Sequence, residues 1–144
     1  MSMRKLSIAL VILVLTAGMA FAVGPWQDGT YTAEADEFDR GWKPMVSVTV
    51  MGGYITDVHF DSLAEEGDKT KYVESIQGDY GMVANSDAQW PWYEQADRAA
   101  AYLVEIQDPA RATRQANADA ISGVSVTVNY YYRLAQEALS GARR

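Results

Sequence analysis

The sequence contains no cysteine, a single histidine (His59) and four prolines. The missing cysteines exclude disulfide frameworks, thiolate zinc sites, iron–sulfur clusters, cysteine nucleophiles and lipoprotein acylation of this chain. One histidine is too few for a Ser-His-Asp triad and a histidine-based metal site together. Positive charge is scarce too: 12 Lys and Arg face 19 Asp and Glu, a formal net charge of -7. Nucleic-acid affinity comes chiefly from Lys and Arg displacing counterions, so the balance argues against a phosphate backbone as partner. The longest apolar run, Leu6 to Leu15 with only Ser7 polar, is shorter than the roughly 20 residues of a membrane-spanning helix.

What remains is ordinary globular material. The 144 residues are 49% apolar and 22% charged, which suits one folded domain. The first segment reads as an address. Arg4 and Lys5 precede the apolar run, and Ala20-Phe21-Ala22 supplies small residues at the two positions a signal peptidase reads. Residues 1–22 are therefore expected to be a secretory signal peptide and residues 23–144 a single exported domain, periplasmic or extracellular. An uncleaved segment would instead leave the domain associated with the membrane. Cleavage removes two positive charges and no negative one, so the exported domain is more acidic than the whole chain. Any redox chemistry in it must come from a bound cofactor, because it has no thiols.

Beyond the address, Gln27 to Ala33 reads as a turn and short strand, with Tyr31 and Ala33 on one face. Val46, Val48 and Val50 alternate with Ser47, Thr49 and Met51, the pattern of a half-buried strand. Gly52-Gly53 follows as a two-residue hairpin signal. The return strand runs from Tyr54 to Phe60, with Tyr54, Thr56, Val58 and Phe60 on one side; Ile55 falls out of phase, consistent with a bulge. A helix is expected from near Asp68 or Thr70 to Gly78, loop from Asp79 to Gln89, and a second helix from Trp92 to Ile106, stopped by Asp108-Pro109. Ala118 to Ile121 reads as a short strand. Tyr131, Leu134, Ala135, Ala138 and Leu139 recur at the spacing of a final amphipathic helix, with Tyr130 and Tyr132 partly exposed. The expected fold class is α+β: a small antiparallel sheet with a β-hairpin over about 44–60 and two or three packed helices, including a C-terminal one.

The stretch with chemical content is Asp119-Ala120-Ile121-Ser122-Gly123-Val124-Ser125-Val126-Thr127. Gly123 permits a tight turn between two hydroxyls, just before the C-terminal helix. Free amides of a first helical turn suit a phosphate. The same pattern also serves an ordinary helix cap.

At this point the chain resembles the FMN-binding domain family, found in periplasmic flavin subunits of ion-pumping NADH:quinone and ferredoxin:NAD reductases and in small exported proteins. Asp119, Ser122, Gly123 and Ser125 match the family's Asp-x-x-Ser/Thr-Gly-Ala-Ser/Thr motif. Asp28-Gly29-Thr30-Tyr31-Thr32 and the Val46 to Phe60 hairpin resemble small exported members, in the same order. The middle, Glu65 to Ala116, matches poorly. The resemblance implies that a separate Mg-dependent flavin transferase moves FMN from FAD onto the Ser125 hydroxyl as a phosphoester. Asp119 would help present the motif, and Ser122 and Gly123 would shape the phosphate turn. Val124 stands where the family has alanine and Ser125 where threonine is commoner. Thr127 is a second hydroxyl two residues on.

A flavin ring needs a platform, and Trp42, Tyr80 and Met82 are the named candidates, with Tyr72, Trp90 and Trp92 as further flat side chains. A small core uses such side chains first for burial, so core packing is the stronger reading for each. His59 reads as a structural or surface histidine, and Asp36, Glu37, Asp39 and Glu65-Glu66 as solvated loop acids. The sequence marks no metal site and no catalytic residue. The implied function is extracytoplasmic electron transfer through FMN between an unidentified donor and acceptor, with the protein a substrate of the transferase rather than a stand-alone enzyme. A non-covalent FMN binder and a flavin-free exported binding or interaction module of the same fold are the alternatives.

Overall fold

Val46, Val48 and Val50 alternate with more exposed neighbours along a strand whose buried side is essentially sealed from water. That strand organises the computed structural model, which describes residues 23–85, 88–115, 126 and 128–144. The three strands are β1 (Gly29–Glu34), β2 (Trp42–Met51) and β3 (Tyr54–Ala64), antiparallel in the order β1-β2-β3. The helices are α1 (Lys71–Gln77), α2 (Met82–Asn85), α3 (Trp92–Ile106), α4 (Pro109–Gln115) and α5 (Asn129–Ala138). The α+β class is as expected.

Gly52 and Gly53 turn the β2–β3 hairpin with φ of +62° and +80°, the left-handed pair that matches strand twist. The Asp28 carboxylate accepts both turn amides, from Gly52 at 3.1 Å and Gly53 at 2.8 Å. Those bonds hold the Asp28 carboxyl below its ordinary pKa. A Cβ on Gly53 would meet the Gly24 carbonyl oxygen at 2.5 Å, so the N-terminal segment closes directly over the turn. The Asp28-Gly29 stretch singled out in the sequence thus locks the hairpin.

The bulge lies at Thr56: Val50 pairs with Ile55 and Thr49 with Asp57. It reverses the phase of β3, so Ile55, Val58 and Phe60 are buried together while Tyr54 and Thr56 face outward. The face expected for Tyr54 and Thr56 is therefore corrected. Gln107 steadies this irregularity: its side chain accepts the Ile55 N–H at 2.8 Å and donates to the Ile55 carbonyl at 2.7 Å. The hairpin is also longer than expected, ending at Ala64 rather than Phe60.

α3 packs on β3 and α5 on β2 and β1, and α4 packs on α5. Thr70 caps α1 through the Val73 amide, and Gly78 closes it in the left-handed region, as expected for that helix. Val73 and Ile76 are nevertheless exposed. Two short helices fall where loop or polar chain was expected. α2 is four residues long, and α4 begins at Pro109, which starts a helix as readily as it ends one. Tyr132 is fully buried, contrary to the partial exposure read from its place beside Tyr131. The inward arc of α5 is wide enough to take two consecutive tyrosines. The segment 1–22, the expected strand at Ala118–Ile121 and the Asp119–Ser125 motif lie outside the described residues.

Candidate functional site

A solvent-open groove of about 1090 Å³ lies where the start of β2, the start of α1, the Tyr80–Met82 segment, the start of α3 and the approach to α5 meet. Each wall has a local cause. Asp39 and Trp42 exchange backbone hydrogen bonds at 2.8 and 3.0 Å across Arg40-Gly41, whose φ values are +52° and +86°. That turn places Arg40 and Trp42 at the groove. Trp42 meets Tyr80 edge-on, with ring centroids 6.1 Å apart. Trp92, the first residue of α3, packs at 6.2 Å from Tyr131. Met82, Val126 and Tyr130 also line the groove.

Gln95 ties these walls together. Its side chain is fully buried; Nε2 donates to the Trp90 carbonyl at 2.8 Å and to Met82 Sδ at 3.4 Å, while Oε1 accepts the Val126 amide at 3.1 Å. A buried polar residue must be hydrogen-bonded, and here three chain segments supply the partners. On the sheet side, Ser62 and Tyr131 share a hydroxyl–hydroxyl bond of 2.6 Å at the groove. Burial pushes Tyr131 up to about 12, so its phenol stays protonated at neutral pH.

Lys71 brings a cation into this aromatic setting. Its Nζ lies 4.6 Å from the Tyr80 ring centroid, 5.2 Å from Trp92 and 5.5 Å from Trp42. These are cation–π distances.

The three named ring candidates, Trp42, Tyr80 and Met82, therefore line one groove, and Trp92 joins them. Tyr72 and Trp90 do not. Tyr72 donates its hydroxyl to Asp97 at 2.9 Å, and Trp90 lies under the Arg98 guanidinium at 4.4 Å. Of the motif stretch, Val126 is described and lines the groove; Asp119, Ser122, Gly123, Val124, Ser125 and Thr127 lie outside the described residues. Sequence reading missed Lys71, Gln95 and Ser62. Gln95 carried a signal, a polar side chain on the inward arc of α3 beside Ala96 and Ala99.

His59 behaves as a structural histidine. Its Nε2 faces Asp61 at 3.4 Å and its ring stands edge-on to Tyr72 at 5.0 Å. The Asp61 hydrogen bond raises the His59 pKa above 6.5, against the opposing effect of burial. Burial alone would raise the Asp61 carboxyl. Hydrogen bonds from His59, the Tyr72 amide, Thr70 and the Ser62 amide outweigh it and leave Asp61 below its usual range. Because the folded His59 pKa is the higher one, its stabilisation is complete below the unfolded value and lost as pH rises through the folded value. The melting-temperature advantage of wild type over His59→Gln is therefore expected to be larger near pH 5.5 (about one unit below the unperturbed histidine value) than near pH 8.5. An unchanged difference across that window contradicts the pairing. Among the described residues no group of three or more His, Asp or Glu is placed to hold a metal ion, and no helix is long and apolar enough to cross a membrane.

No protein-family model matches the chain. It is 29% identical over 137 residues to the 15 kDa lipoprotein of Treponema pallidum (strain Nichols), spanning 94% of this chain and 89% of that one. A likeness to a lipoprotein along nearly the whole chain points to an exported or membrane-anchored protein. Among solved structures, a Clostridium thermocellum protein determined by solution NMR is 42% identical, covers 79% of this chain and 90% of its own, and superposes with a TM-score of 0.57. A Clostridium perfringens crystal structure shares the fold at a TM-score of 0.64 and 24% identity, covering 81% of this chain and 88% of its own.

Proposed function

We propose that this chain, which belongs to one family with the Clostridium thermocellum protein, is an exported carrier of FMN that passes electrons between a donor and an acceptor outside the cytoplasm. The observation that carries the reading is Val126. This residue lines the aromatic groove and stands between Ser125 and Thr127 in the sequence. A hydroxyl at the expected phosphoester position therefore belongs to the same segment as the groove wall.

The groove's donor set fits FMN. Trp42, Tyr80 and Met82 offer flat or polarizable faces to an isoalloxazine ring, while Trp92 backs the groove from the core, and Arg40 and Lys71 offer positive charge to an anionic ligand. Its volume of about 1090 Å³, just above the roughly 300–1,000 Å³ common for ligand pockets, leaves room for a cofactor of that size. When bound, FMN supplies one- and two-electron chemistry; the chain's own residues position it and exclude water from its faces. Gln95 keeps the Val126, Met82 and Trp90 segments in register around the groove. Tyr131 and Ser62 present a neutral hydroxyl pair at its sheet side. In the covalent form a flavin transferase joins FMN from FAD to the Ser125 oxygen, releasing AMP, and Ser125 gives up its hydroxyl proton. The Treponema pallidum relative supports an exported setting, although this chain has no cysteine to acylate.

Titration of the protein made without a transferase tests the groove itself. FMN is expected to quench tryptophan fluorescence saturably, because two of the four tryptophans line the groove. Trp42→Leu should weaken that binding by up to about tenfold, the worth of one ring stack. Absence of both quenching and bound colour would favour the flavin-free module of the same fold.

A further inference from the structure

Lys71 is a cation set over three aromatic rings of the groove. Lys43, Lys69 and Arg144 each form an ion pair, with Glu34, Asp79 and Asp28. Lys71 has no carboxylate within ion-pair distance among the described residues. Its ammonium is held instead over the faces of Trp42, Tyr80 and Trp92, all groove walls. Aromatic quadrupoles hold a cation without neutralising it, unlike a carboxylate. Its net charge therefore remains available to a ligand in the groove. Among the described lining residues Asp39 is the one carboxylate, and Arg40 beside it offsets that charge.

We infer that Lys71 is the charge-compensating residue of the groove, favouring a flat aromatic ligand in its anionic, reduced form over its neutral, oxidised form. The inference rests on the FMN reading and deepens it. A flavin ring that has taken up two electrons from a donor and one proton from solvent carries one additional negative charge at neutral pH. A fixed ammonium beside the ring lowers the free energy of that form and leaves the uncharged oxidised ring nearly unaffected. Lys71 forms no bond to the ring and gives up no proton in this role. The walls fix where the charge sits, because three aromatic faces restrict an otherwise flexible side chain.

The test is the midpoint potential of FMN-loaded wild type, Lys71→Met and Lys71→Arg, poised with dithionite and followed by visible absorbance. Lys71→Met is expected to lose about tenfold of the preference for reduced over oxidised FMN, a midpoint about 30 mV lower for a two-electron couple. Lys71→Arg keeps the charge and should stay at the wild-type potential. A purely packing role would disturb stability, read by thermal melting of the flavin-free proteins, without moving the potential. Equal potentials in wild type and Lys71→Met, or an equal fall in Lys71→Arg, would overturn the role of Lys71 while leaving the FMN reading intact. A wild-type protein that holds no FMN would overturn both.

Discussion

Replacing Ser125 by alanine is expected to abolish all flavin that survives denaturation while leaving the groove able to bind free FMN. The effect is all-or-none because a phosphoester needs an oxygen, and alanine offers none at that position. The prediction follows from the resemblance of Asp119, Ser122, Gly123 and Ser125 to the flavinylation motif, and from the place of Val126 in the groove wall. Ser125→Ala removes nothing from the aromatic walls, so fluorescence titration of the unmodified variant should give the wild-type affinity for FMN. The check is intact mass after co-production with a flavin transferase, for Ser125→Ala and Thr127→Ala in parallel. Thr127→Ala should keep the attached flavin. If Ser125→Ala keeps it and Thr127→Ala loses it, the acceptor is Thr127 and the assignment to Ser125 is wrong.

The largest expected loss of stability comes from Tyr132. Its ring is fully buried against Phe60 at 5.6 Å and Tyr102 at 6.4 Å, and its hydroxyl donates to the Ala99 carbonyl at 2.9 Å. It thus joins α5 to β3 and α3 at once. Truncation to alanine should cost about 3–5 kcal/mol, the range for a large buried aromatic. Tyr132→Phe keeps the ring and should cost about 1 kcal/mol for the lost hydrogen bond. Against a total stability of roughly 5–15 kcal/mol, the alanine variant sits near the edge of folding. Urea unfolding of the three proteins checks this. An alanine variant as stable as the phenylalanine variant would mean that the ring contributes no packing.

The sheet and most helices were legible because their signals are local. Alternating valines define β2, Gly52-Gly53 turns the hairpin, and Thr70 and Gly78 bound α1. What escaped was decided at a distance. The out-of-phase Ile55 signalled a bulge, but not that the bulge at Thr56, steadied by Gln107 52 residues away, turns Ile55 to the core and Tyr54 and Thr56 outward. Tyr132 is buried because Phe60 and Tyr102 close around it, which no helical period reports. The groove shows the same division. Trp42, Tyr80 and Met82 could be named as flat or polarizable side chains, but not that they meet. Lys71 was unremarkable in sequence, since its meaning lies in three rings drawn from three separate segments. Gln95 was overlooked for a related reason: its partners come from positions 82, 90 and 126.

The central claim is that this exported domain carries FMN, and intact mass with a visible spectrum of the protein co-produced with a flavin transferase tests it most directly. The account predicts a mass gain of one FMN less one water, with flavin absorbance that persists after denaturation. An unmodified mass in a sample that also stays colourless after soaking in FMN would contradict it.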